Sequence, residues 1–337
     1  MTTCKKSTNH GPGAVLVVGF FDLIRIACHQ EKGIVSNPMS PIFFRSPNLL
    51  AFFFILLILS AAPATMAQGE PRMLAASRTD APPRIDQPDS SQWSAAAPIT
   101  VRDVVAKIDI TLKALHDGEN VYIQASFPDP TENRMHRMLR WDPAKRAYRD
   151  GPEREDVLVL KWNMSPHASG LTLHEDAPYV ADIWFWKACR SDHAGYADDK
   201  IEIYSVNPDP YAKALLSNSG KVFYLTRKGD EGQDPAESIL YTDYIGDKAE
   251  KFRLSQPSGS RADIRAKGFW KDGRWTVTYA RKLVTGHADD VPLTLDGANT
   301  FGVSRFEIAG RGPDPDAEEP LYGCGDVGEI IALRLTR

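Results

Sequence analysis

Apolar and polar side chains alternate along most of the chain after its first hundred residues. Ile108, Ile110, Leu112 and Ala114 alternate with Asp109, Thr111 and Lys113; Asp117-Gly118 follows, and Val121, Ile123, Ala125 and Phe127 resume the pattern. Alternation on both sides of an Asp-Gly pair predicts a hairpin, because the pleat sends every second side chain to one face and the turn needs positive φ. A second hairpin is predicted over Arg261–Trp270, Asp272-Gly273 and Trp275–Arg281. Further strands are predicted at Asp156–Asn163, Val180–Cys189, Lys200–Tyr204, Lys221–Arg227, Thr300–Glu307 and Gly328–Leu335, and short helices at Thr131–Leu139 and Pro210–Leu216. Many strands joined by tight turns predict an all-β domain, a β-sandwich over 99–337 with long loops and a few short helices. The loops Met164–Tyr179, Asp230–Leu240 and Ala309–Cys324 exceed what a hairpin needs, and long loops on a rigid sandwich commonly build a binding site.

Upstream of that domain the pattern changes. Leu49–Ala62 is one apolar run, preceded by Arg45 and followed by small residues up to Ala67, the layout of a secretory signal peptide. It is short for a membrane span, so no stable span is expected after processing, and the product is expected to be periplasmic or otherwise exported. Met39 begins a conventional leader over 39–67, which makes 1–38 an upstream extension; residues 68–98, rich in Ala, Pro, Ser and Gln, read as a flexible linker. Without the leader the chain keeps 35 basic and 42 acidic side chains, a net charge of −7 with histidine neutral. That balance argues against nucleic acid as a partner. Cys189 and Cys324 remain, either as a bridge or with one acting as a ligand. No Cys-x-x-Cys-His occurs, which excludes covalent haem attachment.

One stretch concentrates the candidate chemistry. In Asp182-Ile-Trp-Phe-Trp-Lys-Ala-Cys-Arg190, Trp184 and Trp186 share one face of a strand while Lys187 falls on the other. Both faces are largely apolar, so the strand is expected to be central. An aromatic wall near a cation suits a flat, anionic ligand, and equally suits a sandwich core. Arg190 can meet a ligand carboxylate or pair with Asp192 or Asp198. The preceding loop offers Met164, His167 and His174, sulfur and nitrogen donors of the kind that ligate haem iron. The run His174-Glu-Asp176 matches no tight metal motif, and the adjacent acids Asp198 and Asp199 are expected to point apart rather than share one calcium ion. No nucleophile-and-base arrangement, Walker loop or dinucleotide fingerprint is present, so the sequence gives no case for catalysis by this chain.

Five segments, in order, resemble the haem-binding domain of ethylbenzene dehydrogenase γ subunits and the related subunits of dimethylsulfide, selenate and chlorate enzymes (the cytochrome c-552/DMSO reductase-like haem-binding family). They are Leu115-His-Asp-Gly-Glu-Asn-Val-Tyr-Ile123, Glu153-Arg-Glu-Asp-Val157, Asp182-Ile-Trp-Phe-Trp-Lys187, Gly195-Tyr-Ala-Asp-Asp199 and Trp270-Lys-Asp-Gly-Arg-Trp-Thr-Val277. The resemblance implies an exported sandwich holding one non-covalent haem b. It would pass electrons from a molybdopterin catalytic subunit and an iron–sulfur subunit to a soluble cytochrome. It also implies axial ligands from a methionine before the Trp-x-Trp strand, matched by Met164 with His167 as the alternative, and from a lysine near the C-terminus. Ala309–Ile330 contains no lysine, and Cys324 is the remaining soft donor there. Trp184 and Trp186 would line the pocket and Arg190 would meet a propionate. The strand pattern is also similar to immunoglobulin-like sandwiches and to family-9 carbohydrate-binding modules. In those modules two tryptophans clasp a sugar, which supplies the competing expectation.

Overall fold

The computed structural model describes residues 70–103, 107–295, 297, 299–305 and 326–337. The upstream extension, the leader and the whole of the loop Ala309–Cys324, Cys324 included, lie outside these residues. Eighteen strands are described: β1 Arg72–Arg78, β2 Ile99–Asp103, β3 Ile108–His116, β4 Asn120–Pro128, β5 Leu139–Asp142, β6 Ala147–Asp150, β7 Val157–Asn163, β8 Tyr179–Lys187, β9 Asp198–Ser205, β10 Lys213–Leu216, β11 Val222–Gly229, β12 Ala236–Ser238, β13 Lys248–Ala249, β14 Phe252–Leu254, β15 Arg265–Lys271, β16 Arg274–Lys282, β17 Asn299–Ser304 and β18 Ile330–Leu335. Thirteen of them form one sheet in the order β10-β11-β9-β8-β7-β17-β18-β1-β3-β4-β16-β15, with β2 branching from β3.

This sheet folds over so that β8 faces β16 across the main core. Trp186 meets Trp275 edge-on at 4.9 Å between ring centroids, and Trp184 lies 6.2 Å from Tyr279. Both predicted hairpins form, β3–β4 and β15–β16, with Gly118 and Gly273 at the positive φ their turns require. The all-β sandwich expectation holds. As the two-sided apolar pattern of β8 implied, a second apolar layer covers its outer face, where Ile183 and Tyr179 pack with Leu171 and Leu173 of the preceding loop.

Three expectations fail for identifiable reasons. Inside the stretch read as a linker, Arg72–Arg78 forms β1, which pairs in parallel with β18 on one side and β3 on the other and buries Leu74 and Ala76 completely. Thr131–Leu139 is not helical. The Asn133 amide donates to Asp156 Oδ2 (2.8 Å), the Asp156 amide donates to the Asn133 carbonyl (2.9 Å), and Arg137 sits at φ 49°. Pro210–Leu216 contains β10, whose ladder with β11 supplies partners that one helical turn would lack. Apart from short 3₁₀ turns, no helix is present among the described residues, and none there is long and apolar enough to cross a membrane.

Candidate functional site at the end of strand β8

The tryptophan wall is core. Trp184 and Trp186 are both completely buried between the sheet halves, Trp184 against Trp162 and Trp186 with its indole Nε1 donating to Asp192 Oδ1 at 2.8 Å. Neither ring presents a face to a ligand, so they form neither a haem wall nor a sugar platform; the space is filled by Trp162, Trp275 and Tyr279.

The open feature lies where β8 ends. A cleft of about 400 Å³ is lined by Lys187, Arg190, Asp198 and Lys200 and by Asp234–Ser238 and Phe252. The local sequence creates it. Phe185 and Lys187 point outward from β8, opposite Trp186, and the register Phe185↔Asp198 brings the start of β9 alongside. Lys187 Nζ bonds Asp198 Oδ2, which also holds Lys200 (3.1 Å), while Asp198 Oδ1 takes Arg261 (2.6 Å). Three cations keep the Asp198 carboxylate well below its usual range against the cost of burial. Burial foremost lowers the Lys187 amine to about 7, with Arg190 and Lys200 opposing the pull of Asp198.

Arg190 pairs with neither Asp192 nor Asp198. Glu155 holds it, accepting from Arg190 Nε and from the backbone amides of Cys189 (2.7 Å) and Arg190 (3.0 Å). The guanidinium lies 5.4 Å over the Phe252 ring. Behind Phe252 sits His136, 94% buried, its ring 5.9 Å from that of Phe252 and its Nδ1 3.4 Å from Glu155 Oε1 without hydrogen-bond geometry. Burial, then the charges of Arg190 and Arg137, lower His136 to about 2, so the imidazole is neutral. Burial and then Glu155 raise the Cys189 thiol to about 11, which makes it a poor thiolate donor. No sequence motif marked His136; it is recruited by the fold from the segment expected to be helical.

Sequence comparison decides the kinship: the family profile described as ethylbenzene dehydrogenase matches residues 84–311. The chain belongs to the ethylbenzene dehydrogenase family. No curated protein matches its sequence. Among solved structures, a family-9 carbohydrate-binding module from Caldicellulosiruptor kristjanssonii in complex with glucose is similar at TM-score 0.31 and 10% identity, over 79% of this chain and 97% of the module. A candidate carbohydrate-binding protein from Bacteroides uniformis is similar at TM-score 0.33 and 11% identity, over 78% and 100% of the two chains.

Haem is the group expected for this member of the ethylbenzene dehydrogenase family, and the residues named from sequence do not converge on one. Met164 follows β7, its amide donating to the Val180 carbonyl (2.9 Å) at the start of β8, whereas Arg190 follows the other end. At about 3.3 Å per residue, roughly 23 Å of strand separates Val180 from Lys187. His167 and His174 are exposed in the loop after Met164, bonded to the carbonyls of Pro178 (3.0 Å) and Leu216 (2.9 Å). At the β8 end the lining suits the group in part: Arg190 and Lys200 for carboxylates and the Phe252 ring for an apolar edge, with the His136 imidazole packed behind Phe252 and its Nδ1 turned toward Glu155. The volume is at the small end for sites that bury most of a ligand, and suits the carboxylate edge of a flat molecule.

A second constellation lies on the inner face of β8 and β9. As expected, Asp198 and Asp199 point apart; Asp199 turns inward, beside Asp182 and Asp290. Asp182 Oδ2 accepts from Arg281 (2.6 Å) and from the Val291 amide (3.0 Å). These acids come from β8, β9 and the loop after β16, so no spacing in the sequence announces them.

Proposed function

We propose that this chain is an exported electron-transfer subunit of an ethylbenzene-dehydrogenase-like assembly, holding a non-covalent haem b at the C-terminal end of β8 and doing no substrate chemistry itself. One observation carries the reading: in a member of this family, Arg190, Lys200 and Phe252 line one cleft at a strand end, with the imidazole of His136 packed against Phe252 behind it. Bound there, the haem iron would supply one-electron transfer, at a potential set by its axial donors and its surroundings. The chain's own residues do the holding. Glu155 fixes Arg190 from three donors, so the guanidinium is oriented before a carboxylate arrives. Lys200 adds a second positive group, and Phe252 shields His136 from water. The expected partners are a molybdopterin catalytic subunit, an iron–sulfur subunit and a soluble cytochrome, in the periplasm.

The test is a reconstitution spectrum of the purified chain with haem. A Soret band beyond that of the denatured chain supports the reading, and its absence defeats it. With haem bound, His136→Ala shifts the reduced α-band and Arg190→Ala weakens binding about tenfold, the worth of one charge-assisted contact. Met164→Ala leaves the spectrum unchanged. A shifted band in Met164→Ala with an unaltered one in His136→Ala moves the iron to the far end of β8 and overturns the β8-end site.

A further inference from the structure

Several buried acids among the described residues are compensated by cations. Asp198 faces Lys187, Lys200 and Arg261; Asp192 faces Arg134 and Lys267 and accepts from the Trp186 indole; Glu202 faces Lys161 and Arg227. The inner cluster breaks the rule. Asp182 and Asp199 are completely buried, Asp290 and Asp230 nearly so, and Asp230 follows β11 with its amide donating to the Asp199 carbonyl. Against these four carboxyls stands Arg281, bonded to Asp182 and 3.6 Å from Asp290, with Arg261 drawing on Asp230 and the His287 ring 3.9 Å from Asp290. Asp199 takes no share of Arg281. Both oxygens of Asp199 are shut away from water and take no hydrogen bond from an amide, hydroxyl or cation, and the groups they face are other carboxyls, Asp230 among them. A buried carboxylate is costly to keep ionised without a counter-charge, so this cluster either takes up protons or receives a positive group.

The geometry says which. One carboxylate oxygen from each of Asp182, Asp199 and Asp290 lies within 4.8 Å of the other two, so a common centre exists no more than about 2.8 Å from all three, and a small inward turn of the carboxylates brings them to the roughly 2.3–2.6 Å at which calcium takes oxygen ligands. We infer that Asp182, Asp199 and Asp290, with Asp230 beside them, form an internal site for one calcium-class divalent cation, clipping the loop after β16 onto the β8–β9 hairpin. All-oxygen, all-anionic donors favour a hard cation over zinc or copper. Without the ion the cluster has to hold protons instead. Burial and then the charges of Asp182 and Asp290 push Asp199 well above the carboxylate range, and burial foremost raises Asp230 and Asp290 to about 7.

The experiment uses the purified chain, stripped with EDTA and returned to calcium, with elemental analysis and thermal melting as readouts. One calcium per chain is expected, together with a melting temperature that rises with calcium. Asp199→Asn keeps the shape of a protonated aspartate and so folds; it is expected to lose the stoichiometric calcium and its effect on melting. In EDTA, Asp199→Asn is expected to melt at or above the wild type, because it removes one repelling charge. Less than a fifth of an equivalent of calcium, or superimposable wild-type melts with and without it, overturns the site and leaves a proton-filled cluster. Zinc retained in preference to calcium overturns the hard-cation assignment. None of these outcomes depends on haem.

Discussion

Gly268 lies on β15 directly over the Trp186 indole, and Gly268→Ala tests how rigidly the main core is fixed. A Cβ placed there would sit 2.2 Å from Trp186 Cζ2, 2.8 Å from Cε2 and 3.0 Å from Cη2. Carbon atoms pack at 3.5–4.0 Å, so the ring or the strand must retreat by about 1.3 Å or more. The ring cannot retreat freely. It is fully buried, meets Trp275 edge-on, and its Nε1 bonds Asp192 Oδ1, the same oxygen that takes the Gly268 amide at 2.6 Å. Overpacking costs about 1–3 kcal/mol, and disturbing a hydrogen bond to a buried carboxylate about 1.5–3 more, giving a loss of about 3–5 kcal/mol. Urea unfolding followed by tryptophan fluorescence measures it, as a midpoint lowered by more than about 1 M at an ordinary slope of 1–3 kcal/mol per M. The double variant Gly268→Ala/Trp186→Phe should be less unstable than the sum of the two singles, since the smaller ring relieves the clash and the added methyl fills part of the space the indole leaves. A loss below about 1 kcal/mol, or strict additivity, would refute the reasoning.

Arg281→Met leaves Asp182 without its cation and is expected to cost about 3–5 kcal/mol in a chemical melt, with Asp182→Asn/Arg281→Met recovering part of it. Asp117 accepts from the amides of Glu119 and Asn120 and from the Tyr122 hydroxyl; against the upward push of burial these bonds hold it at about 2, below its usual 3.8. Because the folded value is the lower one, its contribution is present above pH 4 and disappears as pH falls through about 2. Asp117→Asn should cost about 1 kcal/mol at pH 7, allowing for solvent screening at the turn, with the wild-type advantage gone near pH 2. Glu155→Gln loosens Arg190 and Cys189 together. Thiol labelling of Cys189 at pH 8 should then accelerate, because the nearby negative charge that raises its pKa is gone.

The strands were legible where the pleat signature was complete, as in both Asp-Gly hairpins and in the two-sided burial of β8. β1 was not. Arg72–Arg78 turns only Leu74 and Ala76 fully inward, too weak an alternation to outweigh the Ala- and Pro-rich stretch around it, and its ladders run to β18 and β3 rather than to a neighbouring hairpin. Trp184 and Trp186 were correctly placed on one face, but period-two reasoning cannot say what covers that face, and Trp162 and Tyr279 occupy the space a ligand would need. The sequence marks Arg190 only by its position at a strand end. His136, Lys200 and Phe252 join it only through the fold, as the acids around Asp199 are gathered from four separate segments.

The parallel clasp of β1 with β18 has a kinetic consequence. Arg72 is registered against Ile331, so the seam joining the two halves of the sheet links the first and last strands among the described residues. Loop closure over that span opposes early pairing, and contacts this distant in sequence slow folding. Until Ile330–Leu335 has been synthesised, β1 has no partner on one side, and the half-sheets carry an open hydrogen-bonding edge in the middle of what becomes the core. The last strand therefore acts as a latch. Fragments that end before it should accumulate as aggregating intermediates rather than as smaller stable domains.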